Sequence, residues 1–228
     1  MKLYSGPLSM FGAKAEIALR EKGIDFELEM VPFEMKTLYW PKHPDVERIN
    51  PKRQVPVLVD PGPGGDLEIF DSTQIFEYLE TIRPEPALWP AEPRARARAR
   101  ARLLEYKADE IYFPPIVRLM GLQATPEDPA AVEARGLAGR FYDELERTMQ
   151  GRPWLAGETY SYADIAFYMA QLFGARMTAP MSDSHPRLQA WRERMRARPA
   201  VVTVAGAMGR YLLGQGHKLP DFLARLSA

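Results

Sequence analysis

Apolar positions keep two rhythms in the first third of the chain and one in the rest. Lys2–Tyr4 reads as a short strand. From about Ser9 to Lys22 the residues Ala15, Ala18, Leu19 and Lys22 recur at helical spacing, and Gly23 supplies the left-handed residue that stops a helix. Residues 26–31, FELEMV, alternate apolar and polar as a half-buried strand does. Residues 32–52 read as a long loop with one helical turn near Asp45–Ile49. Val57–Val59 form a strand core behind Pro56, a residue expected at a strand's first position because it donates no hydrogen bond. DPGPGGD is a turn by composition. Leu67–Phe70 is a further strand, and DSTQIFEYLETI a helix with Ile75, Phe76, Leu79 and Ile82 on one stripe.

The order β-α-β, loop, β-β-α predicts two parallel strands with a right-handed crossover, then an antiparallel hairpin. RPEPALWPAEP follows and reads as a linker. The rest is helical in pattern. One helix is expected from Arg94 to Tyr112, broken at Pro114-Pro115, and a second over Ala130–Met149. A third starts near Ser161, a fourth near His185, and a fifth follows Pro199. Ser161 and Asp164 have the spacing of a capping box, with Tyr160 and Ile165 at the positions of a hydrophobic staple. IAFYMAQLF is apolar nearly all round, so this third helix is expected at the centre of the helical half. The fold class is thus α/β plus all-α: a sheet domain over residues 1–83, a linker over 84–93 and an all-helical domain over 94–228.

Composition removes more than it adds. Thirty basic and thirty acidic side chains cancel, so no global field draws the chain to nucleic acid or an anionic membrane. With no cysteine there is no disulfide, thiolate metal site or cysteine nucleophile. His43, His185 and His217 lie apart in polar stretches and are expected at the surface, so no metal is expected. The first residues lack the apolar run of a secretory signal, and no window approaches a membrane span. A cytoplasmic location is the default expectation.

Four stretches in order carry a resemblance across essentially the whole chain. They are YSGPLSMF at the first strand–helix turn, INPKRQVPVLVD before the third strand, IFDSTQIFEYLE at the next helix and WLAGETYSYADIAF at the capped helix. The chain resembles the cytosolic glutathione S-transferase family, in particular its bacterial, serine-type, theta- or tau-like branches. The resemblance implies a thioredoxin-like first domain, a cis Pro56 and glutathione as co-substrate. It also implies a small apolar electrophile, a detoxification role and a homodimer.

Each part of glutathione then has candidate residues. Asp71 and Ser72 start a helix, where backbone amides and the macrodipole favour the γ-glutamyl carboxylate; a plain helix cap is the competing reading. The backbone of Val55, before Pro56, would pair with the cysteinyl unit as an added strand does. Gln54 can donate to the glycine carboxylate, with Lys42, Lys52 or Arg53 supplying charge. For the thiol, the resemblance points to Ser9, with Ser5 and Tyr4 as competitors. A free thiol has a pKa near ~8.5. Lowering it by about two units takes ~2.7 kcal/mol. One hydrogen bond to the ionised group supplies about 1.5–3 kcal/mol and a helix N-terminus about 0.3–1 kcal/mol, so a hydroxyl at the first helix start is sufficient. Leu8, Met10 and Phe11, with Tyr106, Glu110 and Phe113 from the first helix of the second domain, are the candidate wall for the electrophile.

RARARARAR, residues 94–102, suggests nucleic-acid binding only until it is wound into a helix. Successive arginines then diverge, with Arg94, Arg98 and Arg102 on one stripe and Arg96 and Arg100 nearly opposite. The expectation is that some meet acidic residues of a partner subunit, such as Glu77 or Glu80. A non-catalytic binding or regulatory protein on the same fold is the alternative function. Ether cleavage, dehalogenation or peroxide reduction would use the same first half-site.

Overall fold

The computed structural model describes residues 1–90 and 95–227. Its first half is a four-stranded sheet in the order β2-β1-β3-β4. The strands are β1 (Lys2–Ser5), β2 (Glu27–Met30), β3 (Val57–Asp60) and β4 (Leu67–Phe70), with helices α1 (Met10–Glu21), α2 (Pro44–Ile49) and α3 (Ser72–Ile82). β1 and β2 are parallel, Leu3 facing Leu28. β3 runs antiparallel to both β1 and β4, Leu58 facing Leu3 on one side and Ile69 on the other. This is the crossover and hairpin that the sequence predicts. α1 and α3 pack together beneath the sheet through Ile17, Leu19, Ile75, Phe76 and Leu79, all fully buried.

The second half is helical: α4 (Ala95–Lys107), α5 (Phe113–Met120), α6 (Pro129–Thr148), α7 (Tyr162–Arg176), α8 (Pro186–Arg196), α9 (Pro199–Gly214) and α10 (Asp221–Ser227). α7 is its axis, buried without interruption from Tyr162 to Gly174. Asp164 fixes its start. Its carboxylate accepts from Ser161 N at 2.9 Å, Ser161 Oγ at 3.0 Å, Leu155 N at 3.0 Å and Trp191 Nε1 at 2.9 Å. One side chain therefore closes a cap and ties the preceding loop and α8 to the core.

The expected break at Pro114-Pro115 does not occur. A single π turn, Ala108–Tyr112, carries α4 directly into α5, and the prolines fall in the first turn of α5. A proline ring collides with the carbonyl four residues back in a regular helix, and the wider π turn relieves that contact. α10 was not foreseen. The described part of the proline-rich stretch, residues 83–90, is strapped to the fold. Lys22 Nζ donates to Arg83 O at 2.7 Å and Pro86 O at 3.0 Å, and Tyr162 N donates to Leu88 O at 2.8 Å. Trp89, buried, stands edge-on to Phe76 and Tyr162, whose rings stack at 3.8 Å.

One other expectation fails here. His185 is buried, its Nε2 3.0 Å from Asp143 Oδ1 and its Nδ1 accepting from Ser182 N at 3.0 Å. It sits behind the proline that starts α8, where it closes the loop rather than facing water. Glu77 and Glu80 have partners within their own chain. Glu77 meets Arg102 at 2.8 Å and Trp89 Nε1 at 3.1 Å, while Glu80 pairs with Lys22 and accepts from the Leu88 and Trp89 amides. The folded-back linker brings these groups together, which local helix geometry does not reveal. Arg94 lies outside the described residues. Arg96 and Arg100 are exposed, and Arg100 reaches Ala156 O at 3.4 Å.

Candidate active site

Two cavities meet between the halves. The larger, about 910 Å³, is lined by Leu8, Ser9, Met10, Phe11, Tyr39, Lys42, Phe113 and Phe173 among others. The smaller, about 390 Å³, is polar and lined by Pro56, Asp71, Ser72, Thr73, Glu105, Tyr106, Asp109 and Glu110 among others. Phe11, Gln54 and Val55 line both, so the two are continuous.

Ser9 stands where the large cavity reaches the start of α1. It is the N-cap, and its Oγ accepts the Gly12 amide hydrogen at 2.9 Å. A hydroxyl used as a cap acceptor keeps its own proton to donate. The first turn of α1 carries no acidic residue, so its positive end is not neutralised by its own side chains. The Met10 and Phe11 amides are among the donors a helix start leaves without an intrahelical partner. Gly12 has to lack a side chain: a Cβ there would lie 2.1 Å from Ser5 Oγ and 3.2 Å from Ser9 Cβ.

The competitors for Ser9 face elsewhere. Ser5 is buried and lines a separate 210 Å³ cavity against Met208 and Tyr211 of α9. Tyr4 is buried in the sheet and donates its hydroxyl to Asp45 Oδ2 at 2.8 Å; burial first, then that bond, raises its pKa.

Of the residues proposed around glutathione, Lys52, Gln54, Val55, Pro56, Asp71 and Ser72 converge on the polar cavity, and Lys42 and Arg53 do not. The Val55–Pro56 peptide is cis. Neither Val55 N–H nor its carbonyl pairs with another backbone group among the described residues. Asn50 Nδ2 holds the preceding carbonyl, Gln54 O, at 2.6 Å. Asp71 caps α3 through Oδ1, which accepts from Thr73 N at 3.0 Å and Gln74 N at 3.3 Å. Its Oδ2 is left for another partner. Asp71 holds φ 75°, a left-handed conformation that costs about 1–3 kcal/mol outside glycine and clusters at functional sites. Lys42 and Arg53 line the large cavity and Lys52 the polar one.

Leu8, Met10, Phe11 and Phe113 line the large cavity as expected, with Phe11 edge-on to Phe113 at 5.6 Å. Tyr106 and Glu110 do not; they line the polar cavity. Positions 106, 110 and 113 share a face only on a regular helix. The π turn between them turns Phe113 away from the other two.

Sequence reasoning missed the seam below the polar cavity. Lys14 of α1 is fully buried, 2.9 Å from Glu105 Oε1 and in contact with Asp109. Thr73 Oγ1 donates to Glu105 at 2.6 Å, and the Lys14 ammonium lies over the Phe11 and Tyr162 rings. Asp109 Oδ1 has no hydrogen-bond partner. Burial raises its pKa to about 6, against the pull of Lys14 and with the help of Glu105's charge. Tyr39 was missed as well. Its hydroxyl accepts from Leu8 N at 3.2 Å, its ring covers Gly6, and burial raises its pKa. Among the described residues no group of three His, Cys, Asp or Glu side chains is placed to share a metal ion. No described helix is long and apolar enough to cross a membrane.

Comparison with known proteins agrees with this architecture. Residues 8–82 match the glutathione S-transferase N-terminal domain and residues 108–199 its C-terminal domain. Glutathione S-transferase 3 of Zea mays is 32% identical over 91% of this chain and 94% of its own. The chain belongs to the glutathione S-transferase family. A Coxiella burnetii stringent starvation protein A homolog is 36% identical, but over only 50% of this chain and 48% of that one. A solved glutathione transferase from Burkholderia graminis, with two glutathione molecules bound per subunit, is 27% identical. It superposes with a TM-score of 0.74 over 89% of this chain and 86% of its own.

Proposed function

We propose that the protein is a serine-type glutathione transferase. It ionises the thiol of glutathione at Ser9 and directs the thiolate at an electrophile with an apolar body. The observation that carries this reading is the Ser9 hydroxyl. It is fixed by the Gly12 amide, keeps its proton, and lines the large cavity, which continues into the polar one through Phe11, Gln54 and Val55. In this reading residues 1–83 bind glutathione and 94–228 supply much of the electrophile's pocket. Ser72 and the amide end of α3 take the γ-glutamyl carboxylate, and Asp71 Oδ2 takes the ammonium. The Val55 backbone pairs with the cysteinyl unit. Gln54, with Lys42 or Lys52, takes the glycine carboxylate. The sulfur then accepts the Ser9 proton as a hydrogen bond and faces Leu8, Met10, Phe11 and Phe113. Tyr106 and Glu110 border the tripeptide rather than the electrophile.

The two glutathione molecules bound per subunit in the Burkholderia graminis relative support glutathione as the ligand. Exposed Leu103 and Tyr106 on α4 and Leu67 on β4 support a homodimer. A cytoplasmic, detoxifying role goes with the reading. Ether cleavage, dehalogenation and peroxide reduction would begin from the same thiolate. The test is turnover of 1-chloro-2,4-dinitrobenzene with glutathione in wild type and Ser9→Ala. A binding or regulatory module is the second reading, favoured by the half-length match to a protein named for stringent starvation. Retention on immobilised glutathione with no turnover of any electrophile would select it.

A further inference from the structure

The large cavity carries a charge pattern that an apolar electrophile does not explain. Among the described residues it is lined by five cations, Lys36, Lys42, Arg53, Arg176 and Lys218, and by no Asp or Glu. The chain as a whole is balanced, with thirty of each sign. Lys42 and Arg53 stand on the sheet side, near Gln54. Arg176 and Lys218 come from the opposite wall, beyond the reach of that assignment.

Arg176 is the informative one. It ends α7 and is partly buried, its guanidinium 5.1 Å from the centre of the Phe173 ring. Burial alone shifts its pKa, down to about 10, and no neighbouring carboxylate opposes the shift. Desolvated charges are normally paired, because an unpaired one is costly. The ring contact returns only part of that cost at a partly exposed site. An anion in the cavity would complete the pairing. A guanidinium also fits a carboxylate's geometry better than an ammonium does, through two parallel N–H donors.

We infer that the large cavity is selective for an organic carboxylate on an apolar body, and that Arg176 is the specificity-determining residue that holds it. This deepens the transferase reading by naming the electrophile's class. The apolar part lies among Phe113, Val117, Met120 and Phe173, with the carboxylate at Arg176.

Calorimetry tests this without turnover. Glutathione-saturated protein is titrated with 3,5-dinitrobenzoate and with the neutral 3,5-dinitrobenzamide. The benzoate is expected to bind about tenfold tighter or more, the range of a charge-assisted hydrogen bond. The ratio should fall close to one in Arg176→Met and be largely kept in Arg176→Lys, with circular dichroism verifying the fold of each. Equal binding of the two probes by wild type, or an unchanged ratio in Arg176→Met, overturns the inference. The reactive pair, 4-chloro-3,5-dinitrobenzoate and its amide, separates this from the transferase reading. The thiolate forms a C–S bond at the chlorinated carbon, the C–Cl bond breaks and chloride leaves. Selective binding without turnover keeps the anion site and removes the transferase. Equal kcat/KM for both probes does the reverse. Titration with glutathione alone fixes the source of the carboxylate. One equivalent leaves it to the electrophile, and a second equivalent lost in Arg176→Met assigns it to a second tripeptide.

Discussion

Ser9 and Gly12 are joined by one hydrogen bond, 2.9 Å from amide to hydroxyl oxygen. That bond does two things. It satisfies an amide that the start of α1 leaves without a partner, and it orients the serine so that its proton is left over for the cleft. Cap and proposed thiol activator are one group, so helix stability and chemistry are linked at this residue.

The seam between the halves depends on Lys14. Replacing it with methionine keeps most of its volume but leaves Glu105 and Asp109 buried without their cation. Removing one partner of a buried ion pair costs about 3–5 kcal/mol. At about 2–4 °C per kcal/mol for a chain of this size, Lys14→Met should melt roughly 10 °C lower, read by scanning calorimetry. A shift within 2 °C would show that the seam is solvated.

Asp109 gives that seam a pH dependence. Its folded pKa, about 6, lies above the ordinary carboxylate value, because burial penalises the ionised form. The folded state therefore holds the proton more tightly than the unfolded chain. The resulting stabilisation is fully present below about pH 4 and is lost as pH rises through about 6. Asp109→Asn should be closer to wild-type stability at pH 7.5, or exceed it, than at pH 4.5, measured by urea midpoints. A variant penalised more at pH 7.5 than at pH 4.5 would contradict the assignment.

Asp164→Ala tests the centre of the helical half. The substitution strips acceptors from Ser161 N, Leu155 N and Trp191 Nε1 together. Each orphaned buried donor costs about 1–3 kcal/mol, so a loss of at least about 3 kcal/mol is expected in urea unfolding. Trp191 fluorescence should report the same transition. A loss under 1 kcal/mol would show that water replaces the carboxylate.

Features set by neighbours along the chain were legible in the sequence, and those set by distant groups were not. The caps at Asp71 and Ser161 lie within three residues of their partners, so residue type and spacing revealed them. The sheet's strand types followed from β-α-β and hairpin spacing. The linker's anchors, Lys22 and Glu80, lie on other elements, so its packing could not be read from its own residues. Lys14 was invisible as a core residue because its partners stand 91 and 95 positions away. Tyr106 and Glu110 were assigned to the wrong cavity because a π turn leaves no mark in hydrophobic spacing. Arg176 was unreadable for a related reason: a cation in the last turn of a helix is ordinary until the fold leaves it facing a cavity with no carboxylate among its described lining residues.

The most direct measurement is the ultraviolet titration of the thiolate of bound glutathione in wild type and Ser9→Ala. Wild type is expected to ionise the thiol at or below about pH 7, with the midpoint raised by about one to two units in the variant. Loss of the cap itself should cost only about 1 kcal/mol, so the variant remains folded for the comparison. The same midpoint in both proteins, with glutathione bound in each, would contradict the central claim.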